Sequence, residues 1–336
     1  MAVAKDAFGT EAARPLSIPP RGWWQVLKRV ASESGRDGIS VIAAGCAFFA
    51  MVAAFPALSA LVALYGLTAD PATVRDHFAN LQGLLPAQAY DLIVEQSTRI
   101  VERSDSTLGW SLAVSLGLAF WGAAKGTKTL FGALNVAYEE EEKRGFIRLN
   151  ASALAFTVLG LVAAVVVMAA LVYVPVLFAF AGFSSAFEVA VRVLRWPLLA
   201  GLIIVALAFL YRFGPSRRAA RWQWLSAGAL VATLGWLVAS AGFALYVENF
   251  ADYDAAYGSL GAVIVLLFWL YLTFYIILLG AELNAELELQ TRRDTTVGRP
   301  KPMGTRGAYV ADNVEGGPGG SSPKVGRSAE PAIPAA

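Results

Sequence analysis

The chain has 336 residues, of which 57% are hydrophobic and 15% charged, with a formal net charge of +2. Soluble domains carry about a quarter charged residues, so an apolar surplus arriving in long blocks places this chain in the membrane class. One cysteine (Cys46) and one histidine (His77) exclude an intramolecular disulfide and a Cys/His zinc cluster.

Residues Met1 to Pro20 are mixed and proline-containing, without the apolar core of a cleavable signal. From Arg21 to Ser34, Trp23, Leu27 and Val30 fall on one helical face with Trp24 beside them and Lys28 and Arg29 to the side. An interfacial helix with its tryptophans at headgroup level and a helix docked on the bundle both fit that pattern. The first span is read over Ser40 to Leu67, which holds no charge. The stretch 71–103 follows as an outer amphipathic segment. Asp70-Pro71 starts it as N-cap and first helical position, and Arg75, Asp76, Asp91, Glu95 and Arg99 bar it from crossing the bilayer.

Span two begins at Leu108 and runs uninterrupted to Ala124, with Lys125 and Lys128 after it and a helical pattern continuing towards Tyr138. The acidic run Glu139 to Glu142, with Lys143 and Arg144, reads as a polar turn; it offers carboxylates to a cation, but such a run commonly serves as a solvated helix cap. Span three covers about Ala151 to Phe180, span four starts at Phe187 or Trp196 and ends at Tyr211, span five is Trp222 to Tyr246, and span six is about Ser259 to Leu279. The expected fold is all-α: a polytopic transmembrane bundle of six spans with amphipathic interfacial and outer-loop helices. Three regions follow: an N-terminal segment 1–39 with the interfacial helix, a membrane domain 40–290, and a tail 291–336. The tail is rich in Gly, Pro and Ser and is expected to be disordered.

Loop charge sets the orientation. Arg21, Lys28, Arg29, Arg36, Lys143, Arg144, Arg148, Arg212, Arg217, Arg218, Arg221, Arg292, Arg293, Arg299 and Lys301 share one side, and only Arg75, Arg99, Arg103, Arg192 and Arg195 lie on the other. The richer side is cytoplasmic by the positive-inside rule, and an even number of spans puts both termini there.

Two stripes of small residues repeat at 4-3-4-3 spacing. Ala43, Ala47, Ala50, Ala54 and Ala57 form one on span one, and Gly228, Ala232, Gly235, Ala239 and Gly242 form the other on span five. In lipid, helices associate by packing, and smooth stripes let backbones approach; a sliding surface in a transporter has the same signature. Near-membrane polar residues are functional candidates by default. Spans two and six run in the same direction, so Lys125, Lys128 and Asn135 on one and Glu282 and Asn284 on the other are expected to form a polar patch at the inner mouth of the bundle, with snorkelling to the headgroups as the plainer reading.

Four segments resemble, in order, the YihY/BrkB family of bacterial inner-membrane proteins. They are AAGCAFFAMVAAFPALSAL (Ala43 to Leu61), FWGAAKGTKTLFGALNVAYEEE (Phe120 to Glu141), YRFGPSRRAARWQW (Tyr211 to Trp224) and YGSLGAVIVLLFWLYLTFYIILLGAELNAE (Tyr257 to Glu286). They spread over about three quarters of the chain. The resemblance implies a six-span protein of the bacterial inner membrane; that family has carried the labels virulence factor and ribonuclease. The residues themselves do not favour RNA hydrolysis, because His77 falls in the outer segment, and no HExxH, GxSxG or intramembrane aspartate pair is present. No enzyme activity, cofactor, metal or nucleic-acid partner is therefore expected. The favoured role is transport or translocation of a lipid or other amphiphile, with a non-transporting scaffold for envelope assembly as the alternative. The expected partners are the bilayer with its anionic lipids, a second copy of the chain, or envelope-assembly proteins.

Overall fold

A computed structural model describes residues 6–66, 108–181, 185–250 and 260–315, and these residues are mostly helical. Helix α1 is Pro20–Arg36, α2 Ile39–Gly66, α3 Leu108–Ala137, α4 Phe146–Ala181, α5 Ser185–Phe213, α6 Trp222–Phe250, α7 Gly261–Leu289, and α8 the single turn Tyr309–Asp312. Helices α2 to α7 each have 28 to 36 residues. At about 1.5 Å per residue, each exceeds a hydrocarbon core of about 30 Å. Phe146–Ala163, Trp222–Glu248 and Gly261–Leu289 are long and apolar enough to cross a membrane, and α1 with the start of α2 qualifies as a fourth, bent by 64°. Residues 71–103, read as the outer segment, and residues 251–259 lie outside the described residues.

Helix α3 packs mainly on α2, α7 on α6 and α2, α5 on α6, and α1 crosses the end of α7. Along α4, α5 and α6 many large apolar side chains face outward, among them Leu159, Leu198, Leu202, Val205, Val231, Leu234 and Val238. In water that surface would be a liability; against lipid chains it costs nothing, because the surroundings are as apolar as the side chains. The chain is an all-α membrane protein.

The densest packing gathers at one end of the bundle. There Ile39, Leu134, Tyr138, Tyr211, Leu225, Leu278, Ala281 and Ala285 form a buried cluster, and Ile18, Val26, Trp224 and Leu287 form a second beside it. Val26, not Leu27, is the buried centre of α1, and Leu27 faces outward. Of the two readings of α1, the structure shows the docked one: one face is seated on α7, while Trp24 and Leu27 remain exposed.

The tail departs from expectation over 291–315. The Ala220–Thr296 bridge, Arg221 N–H to the Thr295 carbonyl (2.9 Å) and Val297 N–H to the Ala219 carbonyl (3.0 Å) tie it to the turn before α6. Arg292 N–H reaches the Thr10 carbonyl (2.8 Å) in the N-terminal segment. Composition misled here because disorder is inferred from lack of apolar burial. This stretch is held by backbone pairing and by Arg306, whose guanidinium satisfies the carbonyls of Ala311, Lys301 and Arg292.

Candidate functional site

Helix α7 is buried at every position from Gly280 to Leu289, although that stretch carries Glu282, Glu286 and Glu288. A charge taken out of water is tolerated only when paired and hydrogen-bonded, so each carboxylate has to be accounted for. Glu282 and Glu286, one helical turn apart, face α1. The Arg29 guanidinium binds the Glu286 carboxylate through Nε and donates through its terminal nitrogen to the Glu286 carbonyl (3.0 Å) and to Gln290 Oε1 (2.9 Å). On the other side Arg217 donates to Glu288 Oε2 at 2.7 Å, with the two side chains 2% and 0% exposed. The Thr295 hydroxyl donates to the same oxygen at 2.5 Å. Arg217 also stacks over the Tyr138 ring, 4.8 Å from its centroid. Burial alone would weaken the Arg217 charge, but the Glu288 carboxylate holds its proton more firmly than usual.

The acidic run after α3 is dispersed among three tasks. Glu139 adopts φ 54°, the left-handed cap conformation usually left to glycine, and turns the chain off the helix end. Buried Glu140 accepts the Tyr309 N–H (2.7 Å) through one oxygen and the Lys143 ammonium (2.6 Å) through the other, which anchors α8 of the tail. Glu142 takes two hydrogen bonds from the Arg144 guanidinium and one each from the Arg144 N–H and Asn135 Nδ2. Partial burial would raise its pKa, yet these donors outweigh that and hold it at about 2. In the tail, Asp294 is likewise held below the ordinary carboxylate range; burial opposes the shift, and the Lys301 N–H and the Thr296 N–H and hydroxyl overcome it.

Of the expected patch, Asn135, Glu282 and Asn284 are buried at this end, and the two lysines take other partners. Lys128 donates to Asn150 Oδ1 at 2.7 Å and exposed Lys125 lies over the Trp121 ring, 6.0 Å from its centroid. The asparagines secure neighbouring backbone: Asn135 Oδ1 accepts the Ser216 N–H (2.7 Å), and Asn284 Oδ1 accepts the Gly228 N–H (2.8 Å) while its amide donates to the Leu225 carbonyl (3.2 Å). Glu282 lies beside Asp37 at the end of α1, not beside a lysine. The carboxylates of Glu33, Asp37 and Glu139 lie within 4.8 Å of one another beside it. Among the described residues this group alone has the geometry of a metal site.

The stripes pack closely only towards this end. A side chain at Gly228 would fall on the Gly280 carbonyl, and one at Gly280 would meet the Tyr211 hydroxyl at 2.5 Å and Ala232 at 2.8 Å. Helices α6 and α7 therefore touch backbone to backbone. Gly235 meets Ile276 at an ordinary 3.6 Å, with Ala239 half-buried beyond it, and Gly242 faces open space. On α2, Ala43 and Ala47 are buried while Ala50, Ala54 and Ala57 are half-buried; its tightest approach is Ala53 on Gly122 of α3, one residue off the stripe. Sequence reasoning did not pair Arg29 with Glu286, nor Arg217 and Thr295 with Glu288. The available signal was three glutamates within seven residues ending an otherwise uncharged span, which calls for arginine partners elsewhere in the chain.

The chain is similar over 249 residues, at 29% identity, to a ribonuclease-like protein of Bacillus subtilis (strain 168), YfkH, covering 72% of this chain and 87% of that one. It is 43% identical over 88 residues to a UPF0761 membrane protein of Alteromonas mediterranea and 38% identical over 95 residues to one of Vibrio cholerae; those matches cover 26% and 28% of this chain and 29% and 31% of the relatives. No solved structure gives a significant match. The sequence pattern of the family described as "Virulence factor BrkB" extends over residues 30–303, from the middle of α1 through the whole buried end of α7 and into the packed tail. The protein that builds this charged end inside an apolar bundle therefore belongs to the BrkB family.

Proposed function

We propose that this chain crosses the bacterial inner membrane six times with both termini in the cytoplasm, and that it translocates a lipid or another amphiphile. The supporting observation is α7, an apolar membrane-length helix that carries Glu282, Glu286 and Glu288 buried at its end. Ionisable groups kept inside a membrane protein are costly and mark working parts of a bundle. Exposed Trp24 and Trp222 each carry a cation over the ring, Lys28 at 5.2 Å and Arg212 at 4.4 Å from the centroid. That is the chemistry of an anchor at headgroup level that draws anionic lipids. On this reading the buried ion pairs close the inner end of the bundle, and the membrane domain is flanked by cytoplasmic segments at both termini.

The ribonuclease-like label of the Bacillus relative gains no support from the site. Arg217 and Glu288 are committed to each other and shielded, with no surface for a polyanionic backbone. The test is reconstitution of the purified chain in liposomes with labelled phospholipids and small amphiphiles, together with an RNA cleavage assay on the same preparation. Accelerated transfer between leaflets with intact RNA is expected. Transfer no faster than in empty liposomes leaves the scaffold reading, and RNA cleavage that co-purifies with the protein overturns both. Reporter fusions after Asn150 and Ala219 should read cytoplasmic and a fusion after Asp254 external; a cytoplasmic reading at Asp254 breaks the six-span topology.

A further inference from the structure

Lys125 stands apart from the polar end, partway along the membrane-length helix α3. Gly126 lies against Phe49 and Ala50 of α2, and Gly122 against Ala53, so Lys125 is level with the stretch between them. On the other side Thr127 shares a hydroxyl hydrogen bond with Thr157 of α4 (2.8 Å). Helices α2 and α4 begin at the end where α3 stops, and Ala50 and Thr157 each lie eleven residues into them, about 16 Å along at about 1.5 Å per residue. That is half of a hydrocarbon core of about 30 Å. In the other direction seventeen residues of α3, about 25 Å, separate Lys125 from Leu108. Its four-carbon stem is too short to carry the ammonium to either surface. Nor does it aim for the nearer one. Helical side chains lean towards the N-terminus of their helix, and Lys125 Nζ lies over Trp121, one turn farther from the polar end, at 6.0 Å from the ring centroid.

Lys128, three residues on and on the same side of the helix, donates to the neutral Asn150 Oδ1 at 2.7 Å. Among the described residues neither lysine has a carboxylate partner. Two like charges at this depth are costly, and an anion beside them relieves the cost. The surface around Lys125 says what kind of anion. Trp121, Leu118 and Val114 continue from it along α3 at 4-3-4 spacing and are 53%, 52% and 48% exposed. A hydrated inorganic ion gains nothing on such a face and would have to shed its water to reach it. We propose that Lys125 binds the anionic headgroup, a phosphate or carboxylate, of an amphiphile whose apolar chain lies along Trp121, Leu118 and Val114. The Lys128 charge, one turn away, adds to the attraction. The proposal deepens the translocation reading by naming its cargo as an anionic amphiphile, with Lys125 the contact halfway across.

The test is lipid binding to the full-length chain in detergent, read by native mass spectrometry with phosphatidylglycerol and phosphatidylcholine of the same acyl chains. Saturable binding that favours phosphatidylglycerol is expected. Lys125→Gln should weaken it about tenfold or more, the loss of one hydrogen bond to a charged group, and Lys125→Arg should keep most of it. Lys301→Gln, at an exposed lysine in the tail, should bind as the parent does. Size-exclusion profiles identify folded variants, and if Lys125→Gln does not fold, Lys125→Met decides. Excess inorganic phosphate should leave the lipid in place; displacement by phosphate would mean a site for a free anion and overturn the proposal. Equal binding of the two lipids overturns it too, as does unchanged affinity in folded Lys125→Gln, the result that binding at the Trp24 and Trp222 rims alone would give. Leaflet transfer of labelled phosphatidylglycerol in liposomes, measured on the same variants, separates the two readings. Lys125-dependent binding without transfer ends the translocation reading and keeps the site, whereas transfer indifferent to Lys125 keeps translocation and ends the site.

Discussion

The two halves of α7 obey opposite rules. In the first half Phe268 is 52% exposed and Leu267 faces outward beside it, while in the second Glu282, Glu286 and Glu288 are almost wholly enclosed. A soluble helix would reverse the arrangement. Here the apolar half meets lipid, where burial between helices gains little over exposure, and the charged half is walled by α1, α6, the turn 214–221 and the tail. The difference teaches that in this protein specificity resides in the polar end, and the apolar shafts mainly supply length and direction.

The largest test of that contrast is Arg217→Ala against Phe268→Ala. Removing one partner of a buried pair strands Glu288 and should cost about 3–5 kcal/mol, seen as loss of the folded fraction or a steep fall in Tm in detergent. Phe268→Ala, on the outward face, should stay within about 0.5 kcal/mol. Next comes Thr295→Val, which keeps the shape but removes the hydroxyl donated to Glu288. A loss of about 1.5–3 kcal/mol, the range for hydrogen bonds to charged groups, would show that the tail belongs to this end; no loss would return it to the solvated tail that its composition suggests. Gly280→Ala should cost about 1–3 kcal/mol by overpacking, because its new methyl meets Tyr211 and Ala232, whereas Gly242→Ala meets nothing within 4 Å and should be neutral or better in the same assay.

The smallest effect is electrostatic. Glu142 has its pKa lowered to about 2 from an ordinary value of about 4.3. Its contribution is therefore present above the unfolded value and is lost as pH falls through the folded one. Stability of the parent should decline over that acid window more than that of Glu142→Gln, which can no longer titrate there. Because Glu142 is exposed at the surface, solvent screening keeps the difference small.

The helices were legible because uncharged runs such as Ser40 to Leu67 have no alternative in a membrane, and the ends of α3 and α6 followed from the polar residues around them. The polar end was legible only in its parts. Asn135, Glu282 and Asn284 could be singled out as costly residues, but sequence spacing says nothing about which arginine reaches which carboxylate. Arg29 and Glu286 are 257 residues apart, and Lys125 and Lys128, nearer in the expected depth, turn instead to Trp121 and Asn150. The acidic run after α3 looked like one feature and serves three, because φ 54° at Glu139 turns successive side chains to different walls. The packed tail was hidden for another reason: backbone pairing leaves no mark in composition.

A double-mutant cycle on Arg217 and Glu288, using Arg217→Met and Glu288→Gln with unfolding followed in detergent, tests most directly whether the polar end is a built core. The enclosed 2.7 Å pair predicts that the single changes each destabilise strongly and that the double change recovers part of the loss. The expected coupling is about 2 kcal/mol or more, near the upper part of the range for contacting residues. Additivity within about 0.5 kcal/mol, the behaviour of sites that do not touch, would contradict the account.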